Sequence, residues 1–491
     1  MLGRVRCWKP LGYALWAAAL SAACVAHDTA ADRAAVSALV QERAQLALEP
    51  PRAAATSPSP ASRGGGDAPR GADLDSEVQR LAAQPLTLDG ALRIALLNNR
   101  QLRAELLGLG VARGQLVQAS VFPNLDFDVE VLFSKDPTAE RQWALGAGFD
   151  LTQLILRGGR RSAAEAELST ARLEAAGATL DLAYQVRLGY YDVQAAAQEL
   201  ELLRTARQAF AASSEAALAL HAAGNLTDLD LSNEQSAEQG AELDLEQAEA
   251  DAVDVRERLN ILLGLFGRDT GWRVEGPLPQ PAANLGELEH LESRAIRASL
   301  ELAATRSTLE AAARRVGLAS TEGWLPQLHL AARAEHDGQY WAVGPALSGS
   351  LPLFNRQQGS VIAQQAELDQ LRERYTAAAV TIRAATRAAR AKALASEQRA
   401  RRYREQLLPL REQVLAQTLL EYNAMQVGVF QLLAARRQQI EAQRAYVGTL
   451  REYWRARATL EQLLAGRLAG TLAQATETAA ASSPRAREQE H

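Results

Sequence analysis

Asp126, Asp128 and Glu130 stand at every second position of the stretch FPNLDFDVEVLF (122–133), alternating with Phe127, Val129 and Val131. Carboxylates spaced by two share one face of an extended strand, so this pattern sets an acidic face against an apolar one. A second acidic pair, Asp228 and Asp230, follows AGNLT (223–227). Catalytic and metal chemistry find no support around either group. The six histidines, at 27, 221, 290, 329, 336 and 491, include no i, i+4 pair and no cysteine partner, so no zinc site is expected. RGGRR and GGG lack the lysine and Ser/Thr of a phosphate loop, and there is no nucleophile elbow or kinase signature. The expectation is no enzyme, no metal and no cofactor.

The elements that must position these acids follow from composition. The 491 residues carry a formal net charge of −5, without the concentrated basic patch of a nucleic-acid binder. Aromatics are only 5%, which suits long helices packed through small side chains better than a thick globular core. Residues 1–23 are read as a signal peptide: Arg4, Arg6 and Lys9 precede the apolar run Leu11 to Ala23. Both cysteines, Cys7 and Cys24, lie in or at the end of this segment, so no disulfide staples the mature chain. LSAA before Cys24 resembles a lipoprotein signal, with Ser21 where leucine is usual; the alternative is ordinary cleavage, for instance after Ala26. Beyond residue 26 no apolar run of about 18 residues could cross a bilayer as a helix, so entry into a membrane would need strands.

Residues 24–84 form an N-terminal segment whose part 48–75, rich in Pro, Gly, Ala and Ser, reads as a disordered linker; 467–491 reads as a loose tail. Between them the chain repeats once, about 200 residues apart, giving repeats at 85–283 and 284–466. ALRIALLNNRQL (91–102) answers to ESRAIRASLEL (292–302), and LTQLILRGGRRSAAEAEL (151–168) to LPLFNRQQGSVIAQQAEL (351–368). Each repeat is expected to run helix, strand, strand, very long helix, turn, long helix. The first long helix is expected from Gly158 to about Ala223, roughly 65 residues or about 100 Å. Leu245, Ala248, Ala252, Val255, Leu259 and Leu262 recur at heptad spacing, as do Tyr446, Thr449, Tyr453, Ala456, Leu460 and Leu463. Such seams require a partner helix, so the halves are antiparallel coiled pairs. Pro409 is expected to bend its helix, and Tyr190 and Tyr191 to be packing residues.

Strands are expected at 122–133, 142–154, 328–337 and 341–353, each near the 9–11 residues of a tilted membrane strand. Four strands cannot close a barrel, and open edges in hydrocarbon leave unpaired backbone groups. Copies must therefore join: a dimer supplies eight strands and a trimer twelve. With Phe127, Val129 and Val131 toward lipid, Asp126, Asp128 and Glu130 would line the barrel lumen. The fold class is mainly α with a small membrane β part and a two-fold internal repeat.

This order of elements, the P-x-L strand starts at Pro123 and Pro326, LRGGR, LFNRQQG and AGNLTDLDL resemble the TolC-like outer-membrane efflux channels, across about residues 85–466. The resemblance implies a homotrimer with a twelve-stranded barrel in outer-membrane lipid and a helical tunnel across the periplasm. It also implies a periplasmic adaptor and an inner-membrane efflux pump as partners, with the channel a passive conduit for drugs or metal ions. By the same resemblance the adaptor docks at a tip formed by Gly224, Asn225, Leu226, Met425, Gln426 and Val427. Asp228 and Asp230 are pore candidates there. Acidic ring positions of better-known members fall here on Gln431 and Ala434, so Gln431 is the remaining candidate on that helix. The alternative is a lipid-anchored periplasmic coiled-coil scaffold without a pore.

Overall fold

The computed structural model describes residues 29–44, 76–132, 142–281, 290–324, 327–336, 340–350 and 352–468. The expected signal peptide, Cys24, the linker 48–75 and nearly all of the tail lie outside the described residues. The elements are α1 (Ala30–Ala44), α2 (Leu88–Asn98), α3 (Arg100–Ser120), β1 (Asp126–Leu132), β2 (Gln142–Asp150), α4 (Leu151–Ala222) and α5 (Asp228–Leu263). There follow α6 (Leu291–Ala298), α7 (Leu300–Trp324), β3 (Gln327–His336), β4 (Trp341–Ser350), α8 (Gln358–Arg402), α9 (Leu408–Asn423) and α10 (Val429–Leu464). The order helix, helix, strand, strand, long helix, helix thus occurs in both halves of the chain.

The chain divides into two units. One takes the described residues up to Ala35 with Leu106–Arg172 and Glu310–Gln365, and holds the sheet. The other takes Val36–Glu105, Leu173–Leu309 and the described residues from Ala366 on, and holds most of the long helices.

Several boundaries differ from the sequence expectation. β1 starts at Asp126 rather than 122, because Pro123 has no N–H to give a ladder. β2 ends at Asp150 rather than 154: the Asp150 carboxylate accepts the Gln153 N–H at 2.9 Å and caps α4, which therefore begins at Leu151, not Gly158. At 72 residues α4 is about 108 Å long. β4 ends at Ser350, not 353. Where a bend is expected at Pro409 the chain forms a π-helical turn, Tyr403–Leu407, directly before it. Pro409 lies in the first turn of α9, and the Leu408 N–H reaches back five residues to the Tyr403 carbonyl. A proline cannot donate to the carbonyl four residues earlier, and the widened turn accommodates that loss.

In the helical unit the two seams are where the heptads place them. Leu259 and, on α10, Thr449, Tyr453, Ala456, Leu460 and Leu463 are buried, while Leu245, Ala248, Ala252, Val255, Leu262 and Tyr446 are half-buried. Tyr190 donates to the Leu86 carbonyl at 2.9 Å, and Tyr191 stacks on Trp454 with ring centroids 5.1 Å apart; both are packing residues. The break between α2 and α3 docks on the end of α5: the Asn98 amide donates to Leu263 and Gly264 carbonyls at 3.1 and 2.7 Å. The break between α6 and α7 docks likewise on the end of α10, where the Leu300 N–H donates to Gly466 at 2.8 Å. Both helix ends close with a left-handed glycine, Gly264 (φ 67°) and Gly466 (φ 96°). A Cβ on Gly264 would lie 2.8 Å from the Asn98 carbonyl oxygen, so only glycine fits there.

Candidate functional site

The four strands form one antiparallel sheet in the order β1-β2-β3-β4, leaving β1 and β4 as its edges. Residues paired across a ladder share a face. Asp126, Asp128 and Glu130 pair with Gly148, Gly146 and Ala144, and these pair with Ala331, Arg333 and Glu335. Beyond them on β4 come Ala346, Gly344 and Ala342. The opposite face carries Phe127, Val129 and Val131, then Trp143, Leu145, Ala147 and Phe149, then Leu328, Leu330, Ala332 and Ala334, and finally Trp341, Val343 and Leu347. The alternation read in β1 therefore runs through all four strands.

The apolar face is bare: Phe127 is 75% exposed, Val129 66% and Val343 77%. Strands of 9–10 residues span about 30 Å and, tilted by roughly 40°, cover about the 25 Å apolar height of a membrane barrel. On the polar face small residues of β2 make room for the charges beside them. A Cβ on Gly146 would strike the Asp128 carboxylate, and one on Gly148 would meet the His329 ring at 2.6 Å. His329 lies 3.4 Å from Asp126, and Arg333 lies 3.6 Å from Glu130 and 3.2 Å from Glu335. Arg333 is the single guanidinium of the described strands, against carboxylates at Asp126, Asp128, Glu130, Asp150 and Glu335. The face is acidic.

At the turn between α4 and α5, Gly224 takes a left-handed conformation (φ 76°); its N–H bonds to His221 O and that of Asn225 to Leu220 O, closing α4. Thr227 then caps α5 by accepting from the Asp230 N–H. Asp228 is exposed and pairs with His221 Nε2 at 2.7 Å, tying the end of one helix to the start of the next. Asp230 is half-buried in the first turn. The second turn copies the first with a different residue: Met425 adopts φ 58° and is 94% exposed, with Met425 N–H to Tyr422 O and Gln426 N–H to Glu421 O. Gln431 is exposed in the first turn of α10, and Leu226 and Val427 are half-buried. The sequence-derived tip residues thus occupy two equivalent turns, and the acids cluster on the first.

Three features escaped the sequence reading. Asp32 is fully buried and clamped by Arg113 (3.0 Å) and Arg172 (2.5 Å), residues 81 and 140 positions away. Arg467 bridges Asp181 (2.7 Å) and Glu301 (3.3 Å). Glu234, in α5, is buried in the coiled seam. Only Glu234 left a signal, since it stands seven residues before Ala241 and so in register with the heptads. Among the described residues no helix is long and apolar enough to cross a membrane, and no group of three or more His, Cys, Asp or Glu is placed to hold a metal ion.

Comparison with known proteins agrees with this geometry. Residues 91–265 match the family described as Outer membrane efflux protein. The chain is 26% identical over 401 residues to the cobalt-zinc-cadmium resistance protein CzcC of Cupriavidus metallidurans, covering 78% of this chain and 91% of that one. Its fold matches the outer-membrane channel OprN (TM-score 0.65, 19% identity, 80% of this chain and 92% of that one). It also matches CusC, a protein whose structures describe transmembrane channel formation (TM-score 0.65, 16% identity, 79% and 92%). The order of elements, the two-faced sheet and these likenesses converge: residues 91–265 are similar to the outer membrane efflux protein family, and the fold of the chain is similar to that of outer-membrane channels.

Proposed function

We propose that the protein is the outer-membrane channel of a tripartite efflux system, a passive conduit that closes as a homotrimer. The observation that carries this is the sheet: one bare apolar face, one acidic face, and two unpaired edges. Lipid on the apolar side puts water on the acidic side, since reversing the sheet would set charges against hydrocarbon. The edges β1 and β4 cannot remain open in a membrane, where each unpaired backbone group costs several kcal/mol. Pairing β4 of one copy with β1 of the next removes both, and three copies give twelve strands.

In this reading Asp126, Asp128 and Glu130 line the lumen. Gly224, Asn225, Leu226, Met425, Gln426 and Val427 form the periplasmic tip that meets an adaptor, itself bound to an inner-membrane pump. Asp228, Asp230 and Gln431 sit beside the aperture. The acidic lumen favours cations, and the metal resistance named for CzcC points the same way, so divalent metal cations are the proposed cargo. Lipid attachment at Cys24 belongs to the same reading; Cys24→Ala should abolish incorporation of radiolabelled palmitate.

Detergent-purified protein should have the mass of three chains and pass cation-selective current across a planar bilayer. A singly dispersed chain that never conducts would overturn the proposal and favour the scaffold. Deleting the gene should sensitise cells to divalent metals; unchanged metal tolerance with heightened drug sensitivity would overturn the cargo assignment alone.

A further inference from the structure

Glu234 occupies a seam position of the coiled pair α4–α5, two turns from the turn at Gly224. It lies seven residues before Ala241, which packs with Ala206, Phe210 and Ile440 in one apolar cluster. The side chain is 1% exposed. Ser213 on α4 donates to its Oε2 at 3.0 Å, while Oε1 is buried without a hydrogen-bond partner. A carboxylate with one orphaned oxygen in an apolar seam is unfavourable, whereas a neutral carboxyl group is tolerated.

Among the described residues no cation is paired with Glu234. Asp230, one turn earlier on α5, adds repulsion. On α4, His221 is engaged by Asp228 and Arg207 by Glu242. On α10, which joins the cluster through Leu433 and Ile440, Arg436 bonds Gln439 and Arg437 bonds Glu441. Burial, the largest effect, pushes the Glu234 carboxyl above its ordinary value; the Ser213 bond opposes it, and Asp230 adds a smaller upward push.

We propose that Glu234 makes the tip of the α4–α5 pair a proton-sensitive clasp, tight when the carboxyl is protonated and loosened when it ionises. The sign follows from linkage. The packed seam holds the proton more firmly than the opened one, so its full stability is present below the ordinary carboxylate pKa. That stability is lost as pH rises through the elevated value. On the channel reading this couples the aperture to periplasmic pH, but the test below reads the protein alone and stands whether or not the chain conducts.

Hydrogen exchange of α4 and α5 amides near Ser213 and Glu234 is measured in the full-length purified protein between about pH 4.5 and pH 8, as protection corrected for intrinsic rates. The wild type should lose at least about threefold in protection over this range. Glu234→Gln, neutral and of the same shape, should keep the low-pH protection throughout, and Glu234→Leu should be equally indifferent to pH. A wild-type profile that is flat, or a Glu234→Gln profile that falls in parallel with it, overturns the proposal. Unchanged exchange around Gly264 serves as the internal control that the substitutions leave the fold intact.

Discussion

Gly264 and Gly224 close helices by the same motif, yet replacing each with alanine should have unequal effects. Both are left-handed, at φ 67° and 76°, so either substitution carries a backbone penalty of about 1 kcal/mol. At Gly224 nothing lies within 4 Å of a new Cβ, and the penalty ends there. At Gly264 the methyl would sit 2.8 Å from the Asn98 carbonyl oxygen and 3.1 Å from its amide nitrogen. Asn98 would have to withdraw, weakening its bonds to the Leu263 and Gly264 carbonyls at about 1 kcal/mol each. The total is about 3 kcal/mol, or roughly a 150-fold increase in local opening, against about fivefold at Gly224. Amide exchange at Leu265 and Asn225, whose N–H groups bond Asn260 and Leu220 respectively, reads the two openings directly. Equal acceleration at both sites, or a larger one at Gly224, would refute the claim that the docking of Asn98 sets the difference.

Met425 takes the left-handed conformation without being glycine, so Met425→Gly should slow exchange at Gln426 about fivefold, a stabilisation of about 1 kcal/mol. On the sheet, Val129→Lys should cost about 2–4 kcal/mol and deplete heat-modifiable oligomer from outer-membrane fractions, whereas Glu130→Lys should assemble normally. Asp230→Ala should raise leak conductance in planar bilayers and weaken cation preference; unchanged conductance and selectivity would remove Asp230 from the aperture.

What the sequence disclosed was what repeats with a period. Alternation in FDVEV revealed a two-faced strand, and the register of all four strands continued it. The heptads from Leu245 to Leu262 and from Tyr446 to Leu463 marked the two seams. Boundaries were hidden because they depend on single side chains: a carboxylate at Asp150 ends β2 and starts α4 in one step. The Asp32 clamp was hidden because its partners Arg113 and Arg172 are distant in sequence and ordinary in type. Glu234 was passed over because a polar residue in a heptad is usually solvent-facing, and only packing against α4 shows that it is not.

The π-helical turn at Tyr403–Leu407 gives the second half of the chain a feature that α4 in the first half lacks. A surplus residue in a helix rotates everything beyond it by about 100° around the axis. Leu410, Val414 and Leu420 therefore point elsewhere than they would on an unbroken rod continuing α8, while α4 runs its full 72 residues without such an offset. The widened turn thus absorbs one residue within an otherwise continuous helical run and sets which side chains of α9 lie against α10. Deleting one residue between 403 and 407 should restore an ordinary α-helical turn and leave the Met425 end facing as the widened turn already sets it.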